Sequence, residues 1–386
     1  MPANEQKLIK IPVKLVFTEV GSTAMMRQNL KISRLKMGDN TDDYGIVLDK
    51  AAPPFIQGMI TADYISKIEI SGVEPIQNRS DIIELSKVIV FSVLYRNYAL
   101  ASQEQVLASE TVKRWNHSNP SQVIDEKTLF QSGVIQAFLE KYPDELRSLQ
   151  KELVDPIRTH IETDKNLEAD EKNIRVGLLN NFVSSMYPFV WFILLRFRQA
   201  PDFINVLKNV RGCLLDFLGK TNIAEYAGLM LMELATNIEN LIIQKEAKLL
   251  YRTNPVDAKS VIQDPKLRLP VIESLRKKNS LLTFSWKLGG ARMAMGSRGR
   301  FQVLLYDQDV NFAETRGNVD QTKAADAGRS NLSEFYKNLH RNGNELDLGM
   351  FYLSFLDEAC DKMGIKFESM VNQYGGQTIT TLTFTL

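Results

Sequence analysis

The chain of 386 residues has only two cysteines and three histidines, and both scarcities close off chemistry. Cys213 and Cys360 lie far apart within apolar helical patterns, with no Cys-x-x-Cys and no histidine at zinc-ligand spacing. Neither a disulfide framework nor a structural zinc site is expected, and both thiols are expected to be buried. Charge of one sign is missing as well: 47 basic residues stand against 46 acidic ones, a formal net charge of +1. No global field draws the chain to nucleic acid or to an anionic membrane, so neither is expected as a partner. Long apolar runs are also absent. The best membrane candidate, 178–197 (LLNNFVSSMYPFVWFILLRF), is interrupted by asparagines, serines and Pro188, and its unbroken part is too short to span a bilayer. Charges in the leading MPANEQKLIKIPVK occupy the place of a signal peptide's apolar core, which points to a cytoplasmic address.

What is present is the composition of a globular protein, 44% hydrophobic and 24% charged. The length exceeds what one core of about 100 to 200 residues serves, so two or three domains are expected. Ile9 to Phe17 alternates apolar and polar residues, and Gly45–Leu48 and Tyr64–Ser71 add short strand patterns, which together predict a small β-rich domain over 1–78. Asp81-Ile-Ile-Glu84 has capping-box form before an apolar-periodic run that reads as one helix to about Trp115. Helices over 127–142, 144–161, 174–197 and 202–218 complete a helical region, 79–220. From 221 the texture becomes mixed: a helix, strands at 281–288 and 301–306, a polar stretch at 308–329, a helix over 346–363, and two terminal strands about Gly375-Gly376. The fold class is α+β. No internal repeat or low-complexity tract is present.

Within 231–244 (LMELATNIENLIIQ), Glu233, Asn237, Asn240 and Gln244 recur at helical spacing on one face, while Leu234, Ile238, Leu241 and Ile242 form the apolar face. Downstream, Val303-Leu-Leu-Tyr-Asp307 is a strand ending in an acid. Gly349 sits at the start of a helix, and Gly375-Gly376-Gln377-Thr378 opens an alternating strand. The order of these features resembles the ATP-binding domain shared by sensor histidine kinases, type II topoisomerases and mismatch-repair ATPases, a two-layer α/β sandwich.

That resemblance implies a role for each matching position. Glu233-Leu-Ala-Thr-Asn237 is similar to the family's asparagine box, in which the Asn binds Mg²⁺ and the Glu acts as base in hydrolysing members. Asp307 matches the aspartate that accepts the adenine amino group. Gly349 matches the second glycine box, and Gly376 and Thr378 match the terminal Gly-x-Gly-Thr strand. Asn240, on the same face, joins the cofactor-binding set. Asp309 and Asn311 depart from the pattern, standing where the family has glycines that admit close approach of phosphate, and Asp347 replaces another glycine. His160 lacks the acid directly after it that marks a phosphoacceptor. The resemblance therefore implies a cytoplasmic regulatory protein with a degenerate ATP and Mg²⁺ site, a protein partner, and a dimer built on the helical region. An active ATPase or Ser/Thr kinase, and a nucleotide-free interaction module, are the alternatives.

Overall fold

Short alternating segments build one continuous antiparallel sheet. The computed structural model describes residues 8–125, 132–252, 256–289, 299–307, 316–317 and 352–386. Strands β1 (Val13–Phe17), β2 (Ser33–Lys36), β3 (Asp42–Leu48), β4 (Ile65–Val73), β5 (Leu282–Leu288), β6 (Arg300–Asp307), β7 (Lys366–Tyr374) and β8 (Gln377–Thr385) lie in the order β2-β3-β1-β4-β5-β6-β8-β7. The expected boundary at 78 is corrected by this sheet. β4 pairs with β5 through Ile68↔Trp286 and Ile70↔Phe284, so the amino-terminal strands and the carboxy-terminal ones share a core. One compact unit accordingly joins Met1–Val93 to Asn222–Leu386, and a second comprises Leu94–Thr221.

One face of the sheet is apolar. Leu15, Ile68, Ile70, Phe284, Trp286, Val303, Leu305, Leu382 and Phe384 alternate inward along their strands and are almost wholly removed from water. Each such side chain contributes about 1.5–3 kcal/mol on burial, and the Phe301 and Phe384 rings stack with centroids 4.7 Å apart. The opposite face is mixed, with Val16, Leu304 and Tyr306 buried beside polar groups. There the buried carboxylate of Glu69 accepts from Lys14 Nζ at 3.0 Å, Ser71 Oγ at 2.8 Å and the backbone N–H of Gly38. Gly38 is required at that point because a Cβ would stand 2.6 Å from Thr283 Cγ2.

The amino-terminal part is less purely β than its pattern suggests. Helix α1 (Glu19–Arg27) is started by Thr18, whose Oγ1 accepts from Gly21 N at 3.0 Å. Helix α2 (Pro53–Thr61) opens with Pro53-Pro54, whose fixed φ suits a first turn. Helix α3 (Arg79–Leu107) follows β4. Its expected continuation to Trp115 is interrupted at Ser109, which instead caps α4 (Glu110–Ser118) by accepting from Val112 N.

The second unit holds the rest of α3, α4, α5 (Ser132–Leu139), α6 (Pro143–Thr163), α7 (Ala169–Ser185), α8 (Pro188–Arg196) and α9 (Phe203–Lys220). Its core is aromatic: Tyr95, Phe182 and Phe217 stack with centroids 4.7 to 6.0 Å apart. The apolar stretch read as one helix over 174–197 is two, because the segment bends by 80° between α7 and α8 at Met186–Tyr187. Phe189, Trp191 and Phe192 are buried. No single helix among the described residues is long and apolar enough to cross a membrane.

Back in the first unit, α10 (Ile223–Leu250) packs with α11 (Ala258–Gln263), α12 (Pro265–Lys277) and α13 (Tyr352–Lys362), and α13 also lies on β7. Both cysteines are buried thiols, and burial pushes the Cys360 thiol up to about 12.

Candidate functional site

The polar stripe of 231–244 lies on α10. Leu231, Leu234, Ala235, Ile238 and Ile242 are buried as their spacing requires, and Leu241 is half-buried. Glu233, Asn237, Asn240 and Gln244 are half-buried too, so the stripe is not the fully solvated face of an ordinary surface helix. Within it, Thr236 Oγ1 and Asn240 Oδ1 are inaccessible to water and have no hydrogen-bond partner. Orphaned polar atoms of this kind carry a desolvation penalty that a bound group or an ordered water relieves.

Glu233 is engaged. Its Oε1 accepts from Arg79 Nη2 at 2.9 Å, an ion pair between the start of α3 and α10 with the carboxylate 18% exposed. A base that must polarise water needs a free lone pair, and a guanidinium competes for it. Asn237 lies one helical turn further on. Its amide oxygen is a hard neutral donor of the type that completes a Mg²⁺ shell otherwise made of phosphate and water oxygens.

The strand-borne part is formed by β6 and β8. Their register runs Phe301↔Phe384, Val303↔Leu382, Leu305↔Thr380 and Asp307↔Thr378. Residues opposite one another on adjacent strands point to the same face, so an apolar ladder ends in a carboxyl and a hydroxyl, 3% and 1% exposed. Thr380, also on this face, has a buried Oγ1 with no partner. Gly375 and Gly376, at φ +57° and +80°, make the two-residue turn that returns β7 into β8 and places Thr378 at the strand's start. A carboxylate acceptor beside a hydroxyl matches the donor and acceptor edge of an aminopurine. Gly349 lies outside the described residues, as do Asp309, Asn311, Asp347 and most of 308–329.

Sequence reasoning missed two arrangements. Arg79 is one. Its only sequence signal is its place just before the capping box at Asp81. The other is a set of ion pairs made with α12 and the residue that follows it, two of them from α10. Buried Glu239 accepts from Arg268 Nη2 at 2.8 Å, Glu74 from Arg276 Nη2 at 2.7 Å, and Glu246 from Lys278 Nζ at 2.7 Å and Ser274 Oγ at 2.6 Å. Burial pushes the Glu239 carboxyl up to about 7; the Arg268 guanidinium opposes that rise and the neighbouring Glu74 charge adds to it. Spacing could have revealed it, because Glu239 and Glu246 continue the buried row of Ala235 and Ile242.

Comparisons with known proteins match almost the full length of the chain. The profile of a family of unknown function, DUF8084, matches residues 4–386. A protein of Treponema pallidum (strain Nichols), described as an uncharacterized protein, is 32% identical over 380 residues, which covers 98% of this chain and 97% of that one. No solved structure matches.

Proposed function

We propose that this chain, which belongs to the family of unknown function DUF8084, is a cytoplasmic signalling protein in which a degenerate adenine-nucleotide site modulates binding of a protein partner. The observation that carries the reading is the Asp307↔Thr378 pair, buried at the end of the β6–β8 ladder. It supports an adenine-binding edge of the histidine-kinase-type ATPase, with Asp307 accepting from the exocyclic amine and Thr378 beside it. The antiparallel run β5-β6-β8-β7, with α13 between β6 and β7, also supports that architecture.

On α10, Asn237 would hold Mg²⁺ against the phosphates, with half-buried Asn240 beside it on the same face. The cation supplies charge neutralisation at the triphosphate when bound. Glu233 is the family's base position, and its pairing with Arg79 favours binding over turnover in this chain. Nucleotide then acts as a ligand that shifts a conformational balance, and the helical unit is the surface offered to a partner or to a second copy.

Calorimetric titration of the intact chain and of Asn237→Ala with Mg²⁺ and ATP tests this reading. Saturable heat in the parent, lost in the variant, is the expected result. No heat at millimolar ATP leaves a nucleotide-free interaction module, and rapid ATP turnover by the parent replaces the regulatory reading with an ATPase or kinase.

A further inference from the structure

The helical unit contains a cavity of about 420 Å³, which Gln103 of α3, Gly133, Ile135 and Gln136 of α5, and Tyr187, Pro188 and Phe189 at the α7–α8 bend help to line. That volume falls within the range of small-molecule sites, roughly 300–1,000 Å³. Its origin is local and physical. The 80° turn at Met186–Tyr187 swings α8 away from the line of α7, and Pro188 has no backbone N–H with which to continue the helix across the gap. Opposite, Gly133 presents no side chain, and a Cβ built there meets nothing within 4 Å.

We propose that this cavity binds a neutral, mainly apolar small molecule carrying one or two hydrogen-bonding groups. Three observations carry the ligand class. Ile135 and Phe189, 2% and 3% exposed, give it an apolar base. That base is braced by rings, with Phe192 lying 5.0 Å from Phe138 and 6.5 Å from Phe189 between centroids. Among the described lining residues there is no charged side chain, in a chain of which 24% is charged. An ionised ligand entering such a wall would lose hydration without meeting a counter-charge, which is strongly unfavourable. The polar groups on this wall are the carboxamide of Gln103 and the amide oxygen of Gln136, whose Nε2 donates to Glu140 Oε1 at 3.1 Å, and they suit an amide or hydroxyl on the ligand. The site is independent of the nucleotide reading, because all its residues lie in Leu94–Thr221.

Two dyes that share an anilinonaphthalene skeleton test it. N-phenyl-1-naphthylamine is neutral, and 8-anilino-1-naphthalenesulfonate carries a sulfonate. Titrated against the full chain, the neutral dye is expected to saturate at one equivalent with a dissociation constant of order micromolar, and the anionic dye to bind at least about tenfold more weakly. Gln136→Trp, at an exposed position, fills the mouth and is expected to weaken the neutral dye at least about tenfold with an unchanged circular dichroism spectrum. Gly133→Phe, one turn away on α5, adds a ring to the same wall with the same expected result. Absence of saturable binding by the neutral dye, equal affinity for the anionic one, or full retention of binding in both folded variants overturns the proposal.

Discussion

The Asp307 carboxyl and the Thr378 hydroxyl stand opposite each other across the β6–β8 ladder, both buried, at the end of an otherwise apolar row. Burying a carboxyl on an apolar face costs desolvation, which hydrogen-bond donors offset. In the proposed reading an adenine amine is one of those donors. Asp307→Ala and Thr378→Val are therefore each expected to weaken Mg²⁺–ATP binding at least about tenfold, equal to about 1.4 kcal/mol. Because the two side chains would address one ligand edge, the double variant should lose less than the sum of the singles. Full additivity in titration calorimetry would show that they do not share a ligand.

Arg79 and Glu233 make a different kind of pair. The guanidinium is 46% exposed and the carboxylate 18%, so the contact is screened and should contribute little to stability, about 0.2–1 kcal/mol. Its proposed consequence is kinetic. Arg79→Ala is expected to leave the chemical-denaturation midpoint nearly unchanged while raising any slow ATP hydrolysis, and Glu233→Gln in that background should remove the gain. Faster hydrolysis that survives Glu233→Gln would assign the base elsewhere.

The Glu239 carboxyl gives a pH dependence whose sign is opposite to that of a surface acid. Its folded value, about 7, lies above the ordinary glutamate value of 4.5 because burial disfavours the charged form. Between those two values the folded chain holds a proton that the unfolded chain has released. Stability from this group is thus complete below about pH 4.5 and is lost as pH rises through about 7, a change of order 3 kcal/mol. Urea denaturation at pH 5, 6, 7 and 8 should show the decline. In Glu239→Gln the slope contributed by this carboxyl should vanish. An unchanged slope in that variant would place the titration on another group.

Much of this architecture is legible in the chain. Gly375-Gly376 between alternating segments predicts the β7–β8 hairpin, and β5 and β6 fall within a residue of their apolar runs, because turn chemistry and period-two burial are local signals. The polar stripe on α10 is legible for the same reason. The joining of β4 to β5 was not, since pairing partners distant in sequence leave no local trace and an antiparallel edge pattern is the same whether the neighbour lies in the same domain or another. Helices α1 and α2 are short and begin at Thr18 and Pro53, signals that the surrounding strand patterns overshadowed. The Arg79–Glu233 contact depends on where α3 and α10 meet, which the periodicity of neither helix encodes.

The turn that sets Thr378 in place offers a last test. Gly375 and Gly376 both lie at positive φ, +57° and +80°, where a Cβ meets the following carbonyl. Asparagine tolerates the left-handed region better than other side chains, whereas a β-branched residue does not. Gly375→Asn is expected to be nearly neutral, and Gly376→Val to destabilise by at least about 1–2 kcal/mol. Because the two-residue turn fixes the pairing Tyr374↔Gln377 and Gln373↔Thr378, the valine variant should also slip or fray the start of β8. Amide hydrogen exchange at 377–380 would report that loosening directly. If exchange there rises in Gly376→Val while ATP binding is unaffected, Thr378 has no part in the nucleotide site and the adenine edge must be drawn without it.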